Sequence, residues 1–397
     1  MLFREVREDL ASHYKERQEV VTGLLMGLLA RAPIFLLGPP GTAKSNLVRD
    51  LCGRIGNGEL PFFDWLLTKF STPEELFGPV SMKGLENDHF VRVTQGKLPE
   101  ARVAFVDETF KASAGILNAL LTLLNERKFH NNGKPQDTPW ELFVGASNET
   151  PQDPALAALY DRFILRYMTV PIQGQKDFVD MITTSAETAP GSAVIDIKGL
   201  GEARELMPHV EISQGILDGM LEIRARLIAG GFKPSDRRWK RSMTVVRARA
   251  VLYERDKAIK EDLSVLAHVM WNTPDERAKV ERLVAEVANP LAAQALDYMD
   301  TIREIEQNTL YRDDGSLNPT PDPRGGTEAN AKLKHLVDEM LQIIEKEKAA
   351  GSDVAKLQMA VEEGREANRR VVEIAMGTDL TAFREYREAQ DNPQPNP

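Results

Sequence analysis

The stretch Ile34-Phe-Leu-Leu-Gly-Pro-Pro-Gly-Thr-Ala-Lys-Ser45 constrains this chain more than any other. Its first four residues are apolar without polar alternation, which predicts a strand buried on both faces. Gly38-Pro39-Pro40-Gly41 can continue neither strand nor helix, and residues 42–52 then read as a helix with Leu47, Val48 and Leu51 on one side. Strand, glycine loop and helix in that order form the context of a phosphate-binding loop. Backbone N–H groups at the helix start face an anion there, aided by the helix dipole. The residues expected to contact a nucleotide are Gly38, Pro39, Pro40, Gly41, Thr42, Ala43, Lys44, Ser45 and Asn46. Lys44 is expected to reach the β- and γ-phosphates, and the Ser45 hydroxyl a magnesium ion. Ala43 stands where the general pattern carries glycine; alanine is the smallest side chain available and suits a residue entering a helix. The competing reading, a plain turn at Gly-Pro-Pro-Gly with Lys44 a solvated lysine, is the lesser one from the loop alone, and the rest of the chain has to decide.

Residues 103–108, Val-Ala-Phe-Val-Asp-Glu, supply the second constraint. Two adjacent carboxylates stand at the C-terminal end of a buried strand, where open α/β sheets bind ligands. They are costly there unless a cation or hydrogen bonds meet them. Asp107 suits Mg²⁺, directly or through water, and Glu108 suits the base that orients the attacking water. The competing reading is an acidic helix N-terminus. Residues 140–147 form another buried strand ending in Asn148, whose amide either positions water beside a γ-phosphate or simply closes a turn. Arg162 follows a short helix ending at Tyr160. It either pairs with Asp161 as surface charge or protrudes to complete a neighbour's site, and Arg166, one turn later, competes for that role.

Composition narrows the classes further. At 397 residues the chain has room for two or three domains, and its 42% hydrophobic and 28% charged residues are those of an ordinary soluble protein. A formal charge of −10 argues against a dominant electrostatic grip on nucleic acid. Cys52 is the only cysteine, which excludes an internal disulfide and a cysteine metal cluster; it reads as a small buried hydrophobe. The six histidines are scattered and give zinc no support. The N-terminus is too charged for a signal sequence, and no run approaches the ~18 apolar residues of a membrane span. The expected location is cytoplasmic.

Along the chain, residues 4–30 read as helix, with Tyr14 and Arg17 on its polar face or flanking a nucleotide base. Residues 61–67 form a strand and 71–77 carry a helix start. Two β-hairpins are expected, one from 80–84 and 89–94, the other around Asn132-Gly133. From Gln173 the pattern is helical: 178–184, 214–228, a helix opening at 234–240 with Ser235 as cap, and a shorter one at 260–270, with 188–196 irregular. This all-α segment is basic at Arg237-Arg238, as a lid closing over phosphates would be. Beyond Pro274, long charged amphipathic helices are expected at 280–312, 327–350 and 352–376, the last with Ser352 as cap. A flexible connector is expected at 313–326 and a disordered tail at 391–397. The expected domains are an α/β nucleotide-binding core (1–172), an all-α lid (173–275) and a charged helical C-terminal region (276–397).

Gly-Pro-Pro-Gly-Thr-Ala-Lys-Ser at 38–45, Val-Asp-Glu at 106–108, Ser-Asn at 147–148 and Asp-Arg-Phe at 161–163 occur in that order. Together they resemble the MoxR branch of the AAA+ ATPases, in which the Ala-Lys-Ser form of the loop is usual. The resemblance is closest to the RavA-like group, through Phe70-Ser-Thr-Pro-Glu-Glu-Leu-Phe-Gly-Pro79, Leu124-Asn-Glu-Arg127 and Ser235-Asp-Arg-Arg-Trp-Lys240. It covers residues 1 to about 275. It implies a P-loop parallel sheet flanked by helices, followed by an all-α lid and a helical C-terminal region. Lys44 and Ser45 match the Walker A pair, Asp107 and Glu108 Walker B, Asn148 sensor 1 and Arg162 the arginine finger. Arg237 matches sensor 2, with Arg238 as rival. The inserts near 80–94 and 129–140 match elements that line a pore or face a client. The family implies Mg²⁺-dependent ATP hydrolysis by a homo-oligomeric, hexameric ring that remodels a protein client in chaperone fashion, often beside a von Willebrand factor A protein. Asp-Glu-Thr-Phe at 107–110 departs from the commoner Asp-Glu-Ile without touching a catalytic group. Two other readings stand beside this one: a nucleic-acid motor, disfavoured by the acidic balance, and a slow nucleotide-gated scaffold, disfavoured by Glu108. The C-terminal helices either pack on their own ring or dock a partner.

Overall fold

The computed structural model describes residues 2–151, 154–183, 193–312, 316–318, 322–349 and 354–375. The chain forms two compact units, Met1–Val284 and Ala285–Pro397.

Seven strands belong to the first unit: β1 (Ile34–Leu37), β2 (Phe62–Leu66), β3 (Val103–Asp107), β4 (Lys128–Asn131), β5 (Lys134–Asp137), β6 (Leu142–Ser147) and β7 (Leu165–Met168). Five pair in parallel in the order β2-β3-β6-β1-β7. Every residue of β1 and β6 is buried, the pattern the unalternated apolar runs predict for strands covered on both faces. Phe35 on β1 packs against Phe110, Tyr160 and Phe163, with ring centroids 5.1, 5.4 and 5.5 Å away. Because the strands are parallel, their C-terminal ends share one edge, and the loops after β1, β3 and β6 meet there. The fold is an α/β core, a parallel sheet flanked by helices, with an all-helical region after it.

The helix Gln18–Ala30 is apolar nearly all round and buries ten residues, so it serves as a core element rather than an amphipathic cover. β4 and β5 form the expected hairpin. Asn132 (φ 52°) and Gly133 (φ 71°) both take left-handed conformations, as a two-residue turn matched to strand twist requires. The other expected hairpin is not one. Residues 80 and 92 form a single antiparallel bridge, and Met82–Leu85 between them is a helical turn. Ser81 Oγ accepts the Gly84 N–H at 3.2 Å and so caps that turn. The two inserts are joined by side-chain amides: Phe90 N–H donates to Asn132 Oδ1 (3.1 Å) and Arg92 N–H to Asn131 Oδ1 (2.8 Å).

After β7 come the helices Gln175–Thr183, Ile197–Leu206, Gln214–Ala229 and Asp236–Leu252. The second was not expected; Asp196 caps it by accepting the Gly199 N–H at 3.2 Å. Ser235 caps the fourth as expected. Lys260–His268, expected as an α-helix, is a 3₁₀ stretch. The single helix expected over 280–312 is broken into Pro274–Ala288 and Pro290–Leu310. Pro290 lacks the N–H that a continuous helix needs there, and the Asn289 side chain restarts the helix by accepting the Ala292 N–H at 3.1 Å.

In the second unit, Pro290–Leu310 packs with Pro323–Ala349 and Ala355–Ala375 around Ile302, Leu333, Met340, Leu357 and Val371. The helix Pro323–Ala349 takes up the last four residues of the expected connector. Proline suits a first helical turn, and Asp322 accepts the Arg324 N–H. The expected Ser352 cap and the 391–397 tail lie outside the described residues.

Gly23 lies where a Cβ would stand 2.2 Å from the Tyr167 ring on β7. Gly23→Ala is therefore expected to destabilise the protein by about 2 kcal/mol through overpacking, measured by urea unfolding; unchanged stability would contradict this contact.

Candidate nucleotide-binding site

The loop after β1 is fixed from both sides. Gly38 N–H donates to Ser147 O at the end of β6 (3.0 Å), and Thr169 N–H, beyond β7, donates to Leu37 O (2.8 Å). A Cβ on Gly38 would stand 2.1 Å from Thr169 O, so only glycine fits. Thr42 Oγ1 donates to Pro39 O and meets Thr169 Oγ1, both at 2.9 Å. Gly41 (φ 81°) and Ala43 (φ 60°) are left-handed. The helix expected over residues 42–52 is thus corrected: it runs Lys44–Gly53 and begins two residues later, with the left-handed Ala43 just before it. Alanine occupies a conformation that favours glycine, at a cost of about 1 kcal/mol. Such turns direct successive N–H groups into one concavity.

Lys44 is buried, and its ammonium donates to Gly38 O (2.7 Å) and Pro39 O (2.8 Å). Burial lowers its proton affinity, Asp107 and Glu108 oppose that, and Arg17 adds to it. The loop residues 40–46 line a cavity of about 280 Å³ together with Asp107, so Ser45 and Asp107 share one space. Asp107 Oδ1 accepts the Glu108 N–H at 2.9 Å. Glu108 is left-handed (φ 50°), and its carboxylate meets Lys111 Nζ at 3.2 Å and the Ser147 hydroxyl at 3.5 Å. The unusual Thr109 is fully buried and joins two strand ends, donating to Val106 O (2.8 Å) and Ala146 O (3.3 Å). Asn148 is exposed just past β6, which lies between β1 and β3. Sequence reasoning missed Lys111 and Thr169; the available signal was a polar residue close behind an apolar strand.

Tyr14 and Arg17 do not form a polar helix face. Arg17 is buried and donates to Val170 O, and Tyr14 is pushed up to about 12 by burial and by Asp50. Cys52 is buried, which raises its thiol to about 11.

The arginines sort by burial. Arg166 is fully buried, donates to Phe163 O (3.2 Å), Tyr160 O (2.9 Å) and Trp271 O, and is pushed down to about 9 by burial. It ties β7 to the lid and has no outward reach. Arg238, 3% exposed, is likewise held by Asp161 Oδ1 (3.0 Å) and Asn272 Oδ1 (2.7 Å). Arg162 and Arg237 are both partly exposed, and Arg237 lowers the proton affinity of Arg162 after burial has done so. Asp161 accepts from Arg237 Nη1 (2.8 Å), from Arg238 and from the Ser235 hydroxyl (2.9 Å). Ile164 N–H bonds Pro33 O ahead of β1, so Asp161 and Arg162 lie at the N-terminal end of the strands, a strand length from Gly38. In this structure Arg237-Arg238 is tied to Asp161 and is not closed over Lys44.

Residues 2–192 match a family described as the MoxR domain in the MoxR-vWA-beta-propeller ternary systems, and residues 215–284 match an AAA lid domain. Two uncharacterized proteins of Methanocaldococcus jannaschii are each 38% identical to the chain, over 305 and 310 residues. These matches cover 77% and 78% of the chain and 80% of each relative. This chain belongs to the MoxR family of AAA+ ATPases. A structural protein of Acidianus two-tailed virus is 31% identical to the MoxR-family chain over 204 residues, 49% of the chain and 33% of that protein. A crystal structure of a candidate ATPase from Cytophaga hutchinsonii shares the fold, with a TM-score of 0.56 at 19% identity, covering 72% of this chain and 92% of that one.

For this MoxR-family chain, Asp161→Ala would leave Arg238 buried without its carboxylate. The expected loss is about 3 kcal/mol in chemical denaturation, with a smaller loss for Asp161→Asn; equal stability of all three would contradict the latch.

Proposed function

We propose that the chain is a magnesium-dependent ATP hydrolase working as a homo-oligomeric ring whose sites are completed by neighbouring subunits. One observation carries the reading: Lys44 lies in a left-handed loop with Asp107 and Glu108 as its nearest opposing charges, while Arg162 and Arg237 sit at the other end of the sheet. Residues 38–46 would cradle the phosphates, with Lys44 exchanging two carbonyl partners for charged phosphate oxygens. Ser45 and Asp107 would hold Mg²⁺, which neutralises charge on the β- and γ-oxygens. Glu108, held by Ser147 and Lys111, orients the attacking water and takes its proton, and Asn148 adds an amide on the same edge. Water attacks the γ-phosphorus in line, the bond to the β–γ bridging oxygen breaks, and ADP and phosphate leave. Arg162 and Arg237 supply positive charge to the site of the next subunit, a geometry that needs a closed ring such as a hexamer.

Phe70, Met82 and Phe90 are 91%, 74% and 55% exposed around the first insert. Apolar side chains displayed this openly suit transient contact with a protein client, which supports chaperone-like remodelling. The family description supports a von Willebrand factor A partner and extends it to a β-propeller protein. The RavA-like placement rests on the motifs at 70–79, 124–127 and 235–240. We place the protein in the cytoplasm; among the described residues no helix is long and apolar enough to cross a membrane. We divide the chain into core, lid and C-terminal region near residues 172 and 275.

Glu108→Gln is expected to lower turnover by about 10²–10⁴-fold while ATP still binds, and Lys44→Ala to abolish binding. Light scattering on Glu108→Gln with ATP and Mg²⁺ should give a ring. Wild-type turnover in both variants would refute the site.

A further inference from the structure

The N-terminal end of the sheet carries a second cavity, of about 460 Å³, which the nucleotide site does not use. Arg31, Arg102 and Arg127 line it together with Thr138 and Glu141. Glu141 has a side chain only 5% exposed and accepts from Arg31 Nε (3.0 Å), Arg102 Nη2 (2.6 Å) and Arg204. Four guanidinium groups, Arg31, Arg102, Arg127 and Arg204, stand against three carboxylates, the buried Glu141 and the exposed Glu126 and Asp137, which leaves one net positive charge on the cluster. Arg127 lies over the Trp140 ring at 4.2 Å and donates to Trp140 O; among the described residues no carboxylate pairs with it. Burial pushes Arg127 down to about 10, and Arg31, Arg204 and Arg241 push the same way against Glu141. Two groups here are buried without a hydrogen-bond partner: Arg102 Nε and the hydroxyl of Thr138, a residue 4% exposed.

We infer that this cavity binds a small polyphosphate-class anion, held by Arg31, Arg102 and Arg127 with the Thr138 hydroxyl. Glu141 already bonds three guanidinium groups, and their remaining N–H donors, with Arg127 and the Thr138 hydroxyl, suit a compact group with several anionic oxygens in fork geometry. Glu126 and Asp137 also line the cavity. Arg204 belongs to the helix Ile197–Leu206 and donates to Leu28 O (2.6 Å), so the ligand would brace that helix against Gln18–Ala30. This site is independent of the ATPase reading.

The test uses the full chain carrying Lys44→Ala, so that the phosphate loop does not compete. Sodium tripolyphosphate is titrated by calorimetry at constant ionic strength, with a single-stranded oligonucleotide as the second probe. One saturable tripolyphosphate site is expected, weakened at least about tenfold by Arg31→Gln and by Arg102→Gln in folded protein. The Arg31 side chain is 45% exposed, so its replacement leaves the core closed. Absence of saturation, affinity unchanged from the parent in both variants, or binding of the oligonucleotide alone would each overturn the proposal.

Discussion

A buried ammonium sets the terms for the first unit. Lys44 gives up most of its hydration, a cost of several kcal/mol that only oriented oxygens and nearby carboxylates can offset. Gly38 O and Pro39 O supply the oxygens, and Asp107 and Glu108 the opposing charge. Each demand propagates outward. The carbonyls converge only if the backbone turns left-handed at Gly41 and Ala43, and Gly38 can approach Thr169 only without a side chain. The carboxylates arrive only if β3 lies one strand away from β1, with β6 between them.

The sheet thereby gains two chemically distinct ends. The C-terminal edge gathers Lys44 and Lys111, two acids and the left-handed loop after β1. The N-terminal edge gathers arginines. Asp161 draws Arg237, Arg238 and Ser235 of the lid onto the core, and Glu141 draws Arg31, Arg102 and Arg204 together. The loop after β1 and the partly exposed Arg162 and Arg237 stand at opposite ends of the sheet, and under the proposed function each serves a neighbouring copy, so that copies related head to tail would meet loop to arginine. Closure of such a stack is a ring.

Local features were legible in the sequence. The phosphate loop, the paired acids and the Asn132-Gly133 turn each declare themselves within a few residues, because their physics is a backbone conformation or a strand-end charge. Long-range features were not. Asp161 reaches Ser235, Arg237 and Arg238 across 74, 76 and 77 residues, so it read as a surface charge. Arg17 read as polar face, although the fold encloses it. The turn Met82–Leu85 was mistaken for a strand because Ser81 caps it without any helical periodicity to betray it. The charged amphipathic pattern continues on both sides of Pro290 and so hides the break there, and Ala43 suits a helix interior although the helix begins at Lys44.

The most direct measurement is subunit mixing. Arg162→Ala and Lys44→Ala proteins are assayed for ATP turnover separately and then together. Each alone should be inactive, one lacking the arginine it lends and the other the loop that receives it. Mixed rings contain interfaces where an intact loop meets an intact arginine, so activity should return on mixing. Full activity of Arg162→Ala alone, or no recovery in demonstrably mixed rings, would contradict a site shared between neighbours.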